Sequence, residues 1–273
     1  MKLHYRRYGK GLPIIIIHGL FGSSVNWNSI GKKLAGHDSV EFTLRNEGLN
    51  SGDITGTTIS FEVYLIDLRN HGRSPHSDDF NFQLMSNDLG EFIDDHSINK
   101  AVIMGHSMGG KVAMNFVLQH PEKVHKLIVI DASPKYYHIG QWEVLDVLRT
   151  IDLSLFKSRY EVDKHLSLIV KDTASRQFLL QNLFWNSNGK LDWRCNMEVI
   201  IKEIDETGKA IENSGIFYQP ALFIRGERSD FILNEDFALI KKNFPKAEIK
   251  TILGAGHWVH VDQPEALMEC IVN

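Results

Sequence analysis

Apolar residues fall into two kinds of segment that alternate along the chain. Short continuous runs rich in Ile, Val and Leu stand at Pro13–Ile17, Phe61–Ile66, Ala101–Met104, Lys126–Ile130 and Pro220–Ile224, with a further apolar run at 249–253. Continuous runs, as opposed to alternating ones, predict strands covered on both faces. Helical periodicity falls between and after them, at about Val25–Leu34, Phe82–Asp95, Met108–His120, Asn234–Asn243 and Pro264–Ile271. Strand and helix in alternation predict a mostly parallel sheet flanked by helices, with functional residues gathered at the carboxyl ends of the strands.

Two segments break this rhythm. Residues 41–60 are polar, carry Gly48, Gly52 and Gly56, and have the composition of a loop or loose hairpin. The longer segment, 133–217, reads as several amphipathic helices and holds Trp142, Phe156, Phe178, Phe184, Trp185 and Trp193. The domain division that follows is a core of residues 1–132 and 218–273 with a helical lid, 133–217, over the carboxyl edge of the sheet. A lid there would wall an apolar substrate pocket; any single aromatic in it is more often a seal onto the core.

Composition narrows the picture. The 273 residues are 43% hydrophobic and 23% charged, as expected for a water-soluble chain with one large core. A net charge of −4 with mixed signs offers neither a basic stripe for nucleic acid nor a polybasic membrane patch. Cys195 and Cys270 are far apart and have no metal-ligand spacing, so no disulfide framework, metal or other cofactor is expected. With no run long enough for a signal peptide or membrane span, the expectation is a cytoplasmic monomer or homodimer acting on a small molecule.

The chemistry centres on Val102-Ile-Met-Gly-His-Ser-Met-Gly-Gly110, an apolar strand, then Gly-x-Ser-x-Gly, then a helix starting at Met108. In that setting the motif is a nucleophile elbow, with Ser107 on a strained turn and Gly105 and Gly109 beside it because a Cβ at either would collide. Serine needs a base to take its proton, and the base needs a carboxylate to hold its tautomer. His257 follows the last strand, with Gly256 before it, where the base belongs; His260 is read as structural, and His106 as packed on the far side of the strand. Two acids satisfy the chain order, Asp131 at the end of its strand and Asp230 in the loop after the next. An oxyanion needs two backbone N–H donors, each contributing roughly 3–4 kcal/mol. Met108 supplies one, and Leu20 in the His18–Ser24 loop the other, with His18 buttressing the loop.

Six motifs in order then resemble the YbfF-type esterases of the α/β-hydrolase superfamily: His18-Gly-Leu-Phe-Gly-Ser23, Asp67-Leu-Arg-Asn-His-Gly72 with Ser74-Pro75, Gly105-His-Ser-Met-Gly-Gly-Lys111, Ile130-Asp131-x-Ser-Pro134, Trp193-Arg194-x-Asn196 and Ala255-Gly-His-Trp-Val-His260. Related mitochondrial hydrolases and yeast alcohol acetyltransferases share much of the pattern, and residues 41–60 depart from it. The resemblance implies an α/β-hydrolase fold and favours Asp131 over Asp230 as the acid. Asp67 and Arg69 are expected to pair and fix their turn. The function expected is a serine hydrolase of carboxylic esters or thioesters with small to medium apolar acyl groups. An acyltransferase on the same residues is the nearest rival, and a non-catalytic ligand receptor the rival of another class.

Overall fold

The chain enters through strand β1 (Tyr5–Gly9), turns into β2 (Leu12–Ile17), and continues through helix α1 (Asn28–Gly36) to the two-residue strands β3 (Val40–Glu41) and β4 (Thr58–Ile59). Then come β5 (Phe61–Ile66), α2 (Phe82–Asp95), β6 (Ala101–His106), α3 (Met108–Gln119) and β7 (Val124–Ile130). The computed structural model describes residues 1–36, 40–41, 58–139 and 143–272. An inserted region follows β7, with helices α4 (Glu143–Thr150), α5 (Arg159–Leu166), α6 (Thr173–Leu180) and α7 (Met197–Lys202). Between α6 and α7 lies a hairpin of β8 (Leu183–Trp185) and β9 (Leu191–Trp193). The chain closes with β10 (Ala221–Gly226), α8 (Asp236–Asn243), β11 (Ala247–Ile252), α9 (Val259–Asp262) and α10 (Pro264–Val272).

Seven strands form one sheet in the order β1-β5-β2-β6-β7-β10-β11, parallel except for β1, which pairs antiparallel with β5. Side chains alternate across a strand, so the isoleucine run divides between two cores. Ile14 and Ile16 join Trp27, Ile30 and Leu34 from the α1 side and Leu267 and Ile271 of α10. Ile15 and Ile17 face the opposite layer, with Leu89 of α2, Val112 and Phe116 of α3, and Ile240 of α8. Helix α3 is covered along nearly its whole length, because it starts at the sheet centre and lies under the insertion. This is the mostly parallel, helix-flanked sheet expected from the pattern and the α/β-hydrolase architecture that the resemblance implies, with an inserted helical region after the strand ending at Ile130.

Three differences have physical reasons. Strand β1 alternates exposed and half-buried positions at a sheet edge, and therefore has no apolar run to announce it. The insertion contains an antiparallel hairpin besides its helices, closed through Asn186 and Gly189, the latter at φ +68°. Asp67 and Arg69 do not pair: Asp67 accepts the backbone N–H groups of Ser24 and Arg73, while Arg69 makes a two-pronged ion pair with Asp88 of α2 (Nε–Oδ2 2.7 Å, Nη2–Oδ1 2.9 Å). The planar guanidinium fork matches a carboxylate on a helix flank better than one whose oxygens already hold two loops. Within 41–60, Glu41 and Thr58 pair antiparallel, and the reading of residues 42–57, like that of Trp142, lies outside the described residues.

The Arg69–Asp88 pair is buried on both sides. Arg69→Met removes the two-pronged partner of a buried carboxylate, which keeps the Met1 ammonium at 2.9 Å, and is expected to lower the unfolding free energy by about 2 kcal/mol, measured by urea denaturation; a change under about 1 kcal/mol would mean that the pair carries little stability.

Candidate active site

Ser107 stands between β6 and α3 at φ +53°, ψ −119°, a region that costs a non-glycine residue on the order of 1–3 kcal/mol. The surroundings hold it there: its N–H donates to the Ile130 carbonyl at 2.9 Å, and its carbonyl accepts the Lys111 N–H at 3.2 Å. The strand and helix cross so closely that a Cβ at position 105 would lie 2.1 Å from the Gly109 carbonyl oxygen, and one at 109 would lie 2.4 Å from that of His18. Glycine is required at both.

Three sequence-predicted residues come together. Ser107 Oγ is 3.0 Å from His257 Nε2, and His257 Nδ1 is 2.7 Å from Asp131 Oδ2. Asp131 is fully buried and has φ +52°. Its N–H donates to the Ile224 carbonyl at 2.7 Å, its Oδ1 accepts the Gly226 N–H at 3.2 Å, and its Oδ2 also accepts the Ser229 hydroxyl. The Phe231 ring stacks on the His257 imidazole, with centroids 3.8 Å apart. Asp230, the other candidate acid, is exposed and makes no hydrogen bond to His257 among the described residues. Sequence reasoning missed Ser229 and Phe231; a serine next to the loop acid gave no signal of its own until the tertiary fold brought it to Asp131.

Around the elbow four histidines are buried. His18 Nε2 accepts the Leu68 N–H at 3.0 Å, which leaves its Nδ1–H for the Gly19 carbonyl. His71 Nε2 accepts the Phe21 N–H at 3.2 Å and its Nδ1–H donates to the Arg69 carbonyl. Both patterns require neutral rings, and burial accordingly pulls the pKa of His18 down and that of His71 to about 3. Phe21 sits at φ +57° with its carbonyl held by Asn182 of the insertion. Its N–H being taken, the free donors beside Ser107 are those of Leu20 and Met108, given to no acceptor among the described residues. His106 is packed, as expected, beside Trp27 and His260 on the face of β6 that carries Val102 and Met104, and its Nε2–H reaches the His257 carbonyl at 2.9 Å, so it also borders the site. His260 stacks on Trp27 at 4.4 Å, and burial lowers its pKa to about 4.

Ser107 and His257 open into a cavity of about 360 Å³ walled by Leu20, Phe21, Trp258 and, from the insertion, Val144, Val170 and Phe178. Of the insertion aromatics read from the sequence, Phe178 reaches this wall; Trp193 and Phe156 pack into cores, and Trp185 is exposed. Both roots of the insertion are tied to α3. The Lys111 ammonium donates to the carbonyls of Lys135 (2.7 Å), Gly208 (3.0 Å) and Lys209, and lies 4.5 Å from the Tyr137 ring centroid. Burial pulls its pKa to about 7, while three carbonyls on its three hydrogens favour the charged form. Among the described residues no group of three or more His, Cys, Asp or Glu could hold a metal ion, and no helix is long and apolar enough to cross a membrane.

With that geometry in view, comparison with known proteins is decisive for the family. A model of the alpha/beta hydrolase fold matches residues 13–264. The chain belongs to the α/β-hydrolase family. Within it, a solved structure of a marine microorganism esterase is 39% identical and superposes with a TM-score of 0.88 over 99% of this chain and 98% of that one. The sn-1-specific diacylglycerol lipase ABHD11 of Mus musculus is 34% identical over 268 residues, 95% of this chain and 80% of its own length. Esterase YbfF of Escherichia coli (strain K12) is 29% identical over 260 residues, 95% and 91% of the two chains.

The neutral histidines of this α/β-hydrolase make its stability pH-dependent with a definite sign. His71 has a lower pKa folded than unfolded, so the unfolded chain binds the extra proton as pH falls below about 6.5, and stability is lost from there toward pH 3. His71→Gln, which keeps an acceptor for the Phe21 N–H, is expected to flatten the fall in unfolding free energy between about pH 6 and 4 by up to about 1.4 kcal/mol per pH unit. Denaturant titrations across that range check it, and an unaltered slope would mean that the ring is not held neutral.

Proposed function

We infer that this α/β-hydrolase is a serine hydrolase of carboxylic esters or thioesters with a small to medium apolar acyl group. One observation carries the reading: the continuous hydrogen-bonded chain Ser107–His257–Asp131 opens directly into an apolar cavity. The esterases among its relatives support the same chemistry.

In this reading Ser107 Oγ attacks the carbonyl carbon as His257 Nε2 takes its proton, and the N–H groups of Leu20 and Met108 receive the oxyanion. Asp131 keeps the Nδ1–H tautomer and stabilises the imidazolium. His257 then gives the proton to the leaving alcohol or thiol, and a water activated by the same ring resolves the acyl-enzyme. The insertion, 133–217, serves as the lid over a core of 1–132 and 218–273. A cavity of about 360 Å³ with apolar walls suits one acyl chain of small to medium length.

Hydrolysis of p-nitrophenyl esters tests this. Activity is expected to peak between about four and eight acyl carbons and to fall at about twelve, because the cavity wall stops a longer chain. Ser107→Ala should abolish turnover and labelling by a fluorophosphonate, and Asp131→Asn should cost on the order of a thousandfold or more in kcat, with Asp230→Asn near wild type. Wild-type turnover in Ser107→Ala would sink the mechanism, and the reverse ranking of the two aspartates would reassign the acid. Wild type that neither turns over nor labels would favour a ligand receptor. Ethyl ester formation in added ethanol, exceeding hydrolysis, would favour an acyltransferase.

A further inference from the structure

Resting on that reading, we propose that Asn182, a residue of the insertion, is a positioning residue for the reaction, fixing the direction in which the Leu20 N–H meets the oxyanion. A peptide group is planar with its C=O and N–H pointing in opposite directions, so a bond to one end sets the aim of the other. The Leu20 N–H shares its peptide with the Gly19 carbonyl. That carbonyl accepts the Gly22 N–H at 2.9 Å and the His18 Nδ1–H at 2.8 Å. The Gly22 N–H in turn shares its peptide with the Phe21 carbonyl, and this carbonyl takes the Asn182 side-chain amide. One line of hydrogen bonds thus runs from Asn182 through two peptide groups to the Leu20 N–H.

Such a turn needs holding. Gly19 to Gly22 is a four-residue turn with Phe21 in third place at φ +57°, a position and conformation that favour glycine. Both peptide groups flanking Phe21 are pinned from outside the turn, its N–H by His71 Nε2 at 3.2 Å and its carbonyl by Asn182. The first hold comes from the core and the second from the insertion. Asn182 is itself fixed: it is buried, its backbone N–H donates to the Leu179 carbonyl at 3.0 Å, and its backbone carbonyl accepts the Arg194 N–H at 2.8 Å. Cys195 Sγ lies 3.2 Å from Asn182 Oδ1, and burial pushes that thiol up to about 12, so it stays protonated and donates. The side-chain amide is thereby oriented, with its oxygen toward the thiol and its N–H toward Phe21.

The insertion then has a share in the chemistry besides walling the cavity. Asn182 follows closely on Phe178 and Leu179, which line the cavity, so the wall and the hold on the turn belong to one stretch of chain. Without the Asn182 N–H the Phe21 carbonyl is left buried with no donor, and the Phe21–Gly22 peptide is free to tilt toward another one. The Gly22 N–H tilts with it, and the Gly19–Leu20 peptide loses its alignment. Binding of an acyl chain in the cavity does not use the Leu20 N–H, whereas the charge developing on the carbonyl oxygen does, so the loss falls on the transition state. Asn182 is not among the residues lining the cavity; it acts through the turn.

The test is kcat and KM for p-nitrophenyl butyrate in wild type, Asn182→Leu and Asn182→Ala, with thermal unfolding of each, and inhibition by an alkyl trifluoromethyl ketone, whose hemiketal with Ser107 carries an oxyanion. Leucine keeps the size of the side chain and alanine risks no clash, so whichever variant folds carries the test. Each is expected to lose about thirtyfold in kcat, short of the hundredfold or more that removal of a whole oxyanion donor costs, with KM within about twofold of wild type. The ketone should bind weaker by the same factor of about thirty. A kcat within about threefold of wild type in a folded variant would overturn the proposal. So would a loss that appears in KM, as a disturbed cavity wall would give, or a loss of kcat with the ketone's affinity unchanged, which would place the damage outside the oxyanion site. Failure of the hydrolase reading shows elsewhere, in a wild-type protein that neither turns over nor reacts with the fluorophosphonate.

Discussion

Everything at the site depends on how closely β6 and α3 cross. Glycine at 105 and 109 allows the strand and helix backbones to meet at a distance that any side chain would forbid, and the residue between them is left in a conformation it would not choose. The fold offsets that strain with two backbone hydrogen bonds and with the burial of nearly all of α3. A serine so held has little freedom in its Cβ direction, which is why one histidine, arriving from a loop far along the sequence, can meet it at hydrogen-bond distance. Preorganisation of this kind is stored in the backbone and costs nothing at the moment of reaction.

Much of the fold was legible because parallel strands buried on both faces have to be continuously apolar. Phe61–Ile66 and Phe82–Asp95 have the limits their patterns indicate, and the other long elements differ at their ends. Strand β1 was hidden because an edge strand with one wet face needs only alternation over five residues. The hairpin in the insertion did leave a mark, Asn188-Gly189 between two short aromatic runs, but helical periodicity on both sides outweighed it.

The site divides along the same line. Ser107 and His257 were identifiable since a local motif and a chain order constrain them. Chain order alone does not separate the two acids, because Asp131 at its strand end and Asp230 in the loop after the next strand both lie between the serine and the histidine; they differ chiefly in burial, one enclosed and one in solvent. Asp67 and Arg69 were paired by proximity in sequence, whereas the real partners, two loop N–H groups and Asp88, are chosen by what the fold brings near. Long-range hydrogen bonds from Ser229 and Asn182 have no sequence signature at all.

Lys111 bears on how substrate gets in. One ammonium grips the outgoing root of the insertion at Lys135 and the returning root at Gly208 and Lys209, and it does so from the helix that starts beside Ser107. Three carbonyls, that of Gly208 buried, would lose their donor together if the insertion swung away as a block, so that motion is costly. Val144, Val170 and Phe178 of the insertion meet the cavity and take no part in that grip. The wall of the cavity and the groups it opens onto are thus held by different parts of the chain, so side chains on the wall can change while Ser107 keeps the place that α3 and the gripped roots give it.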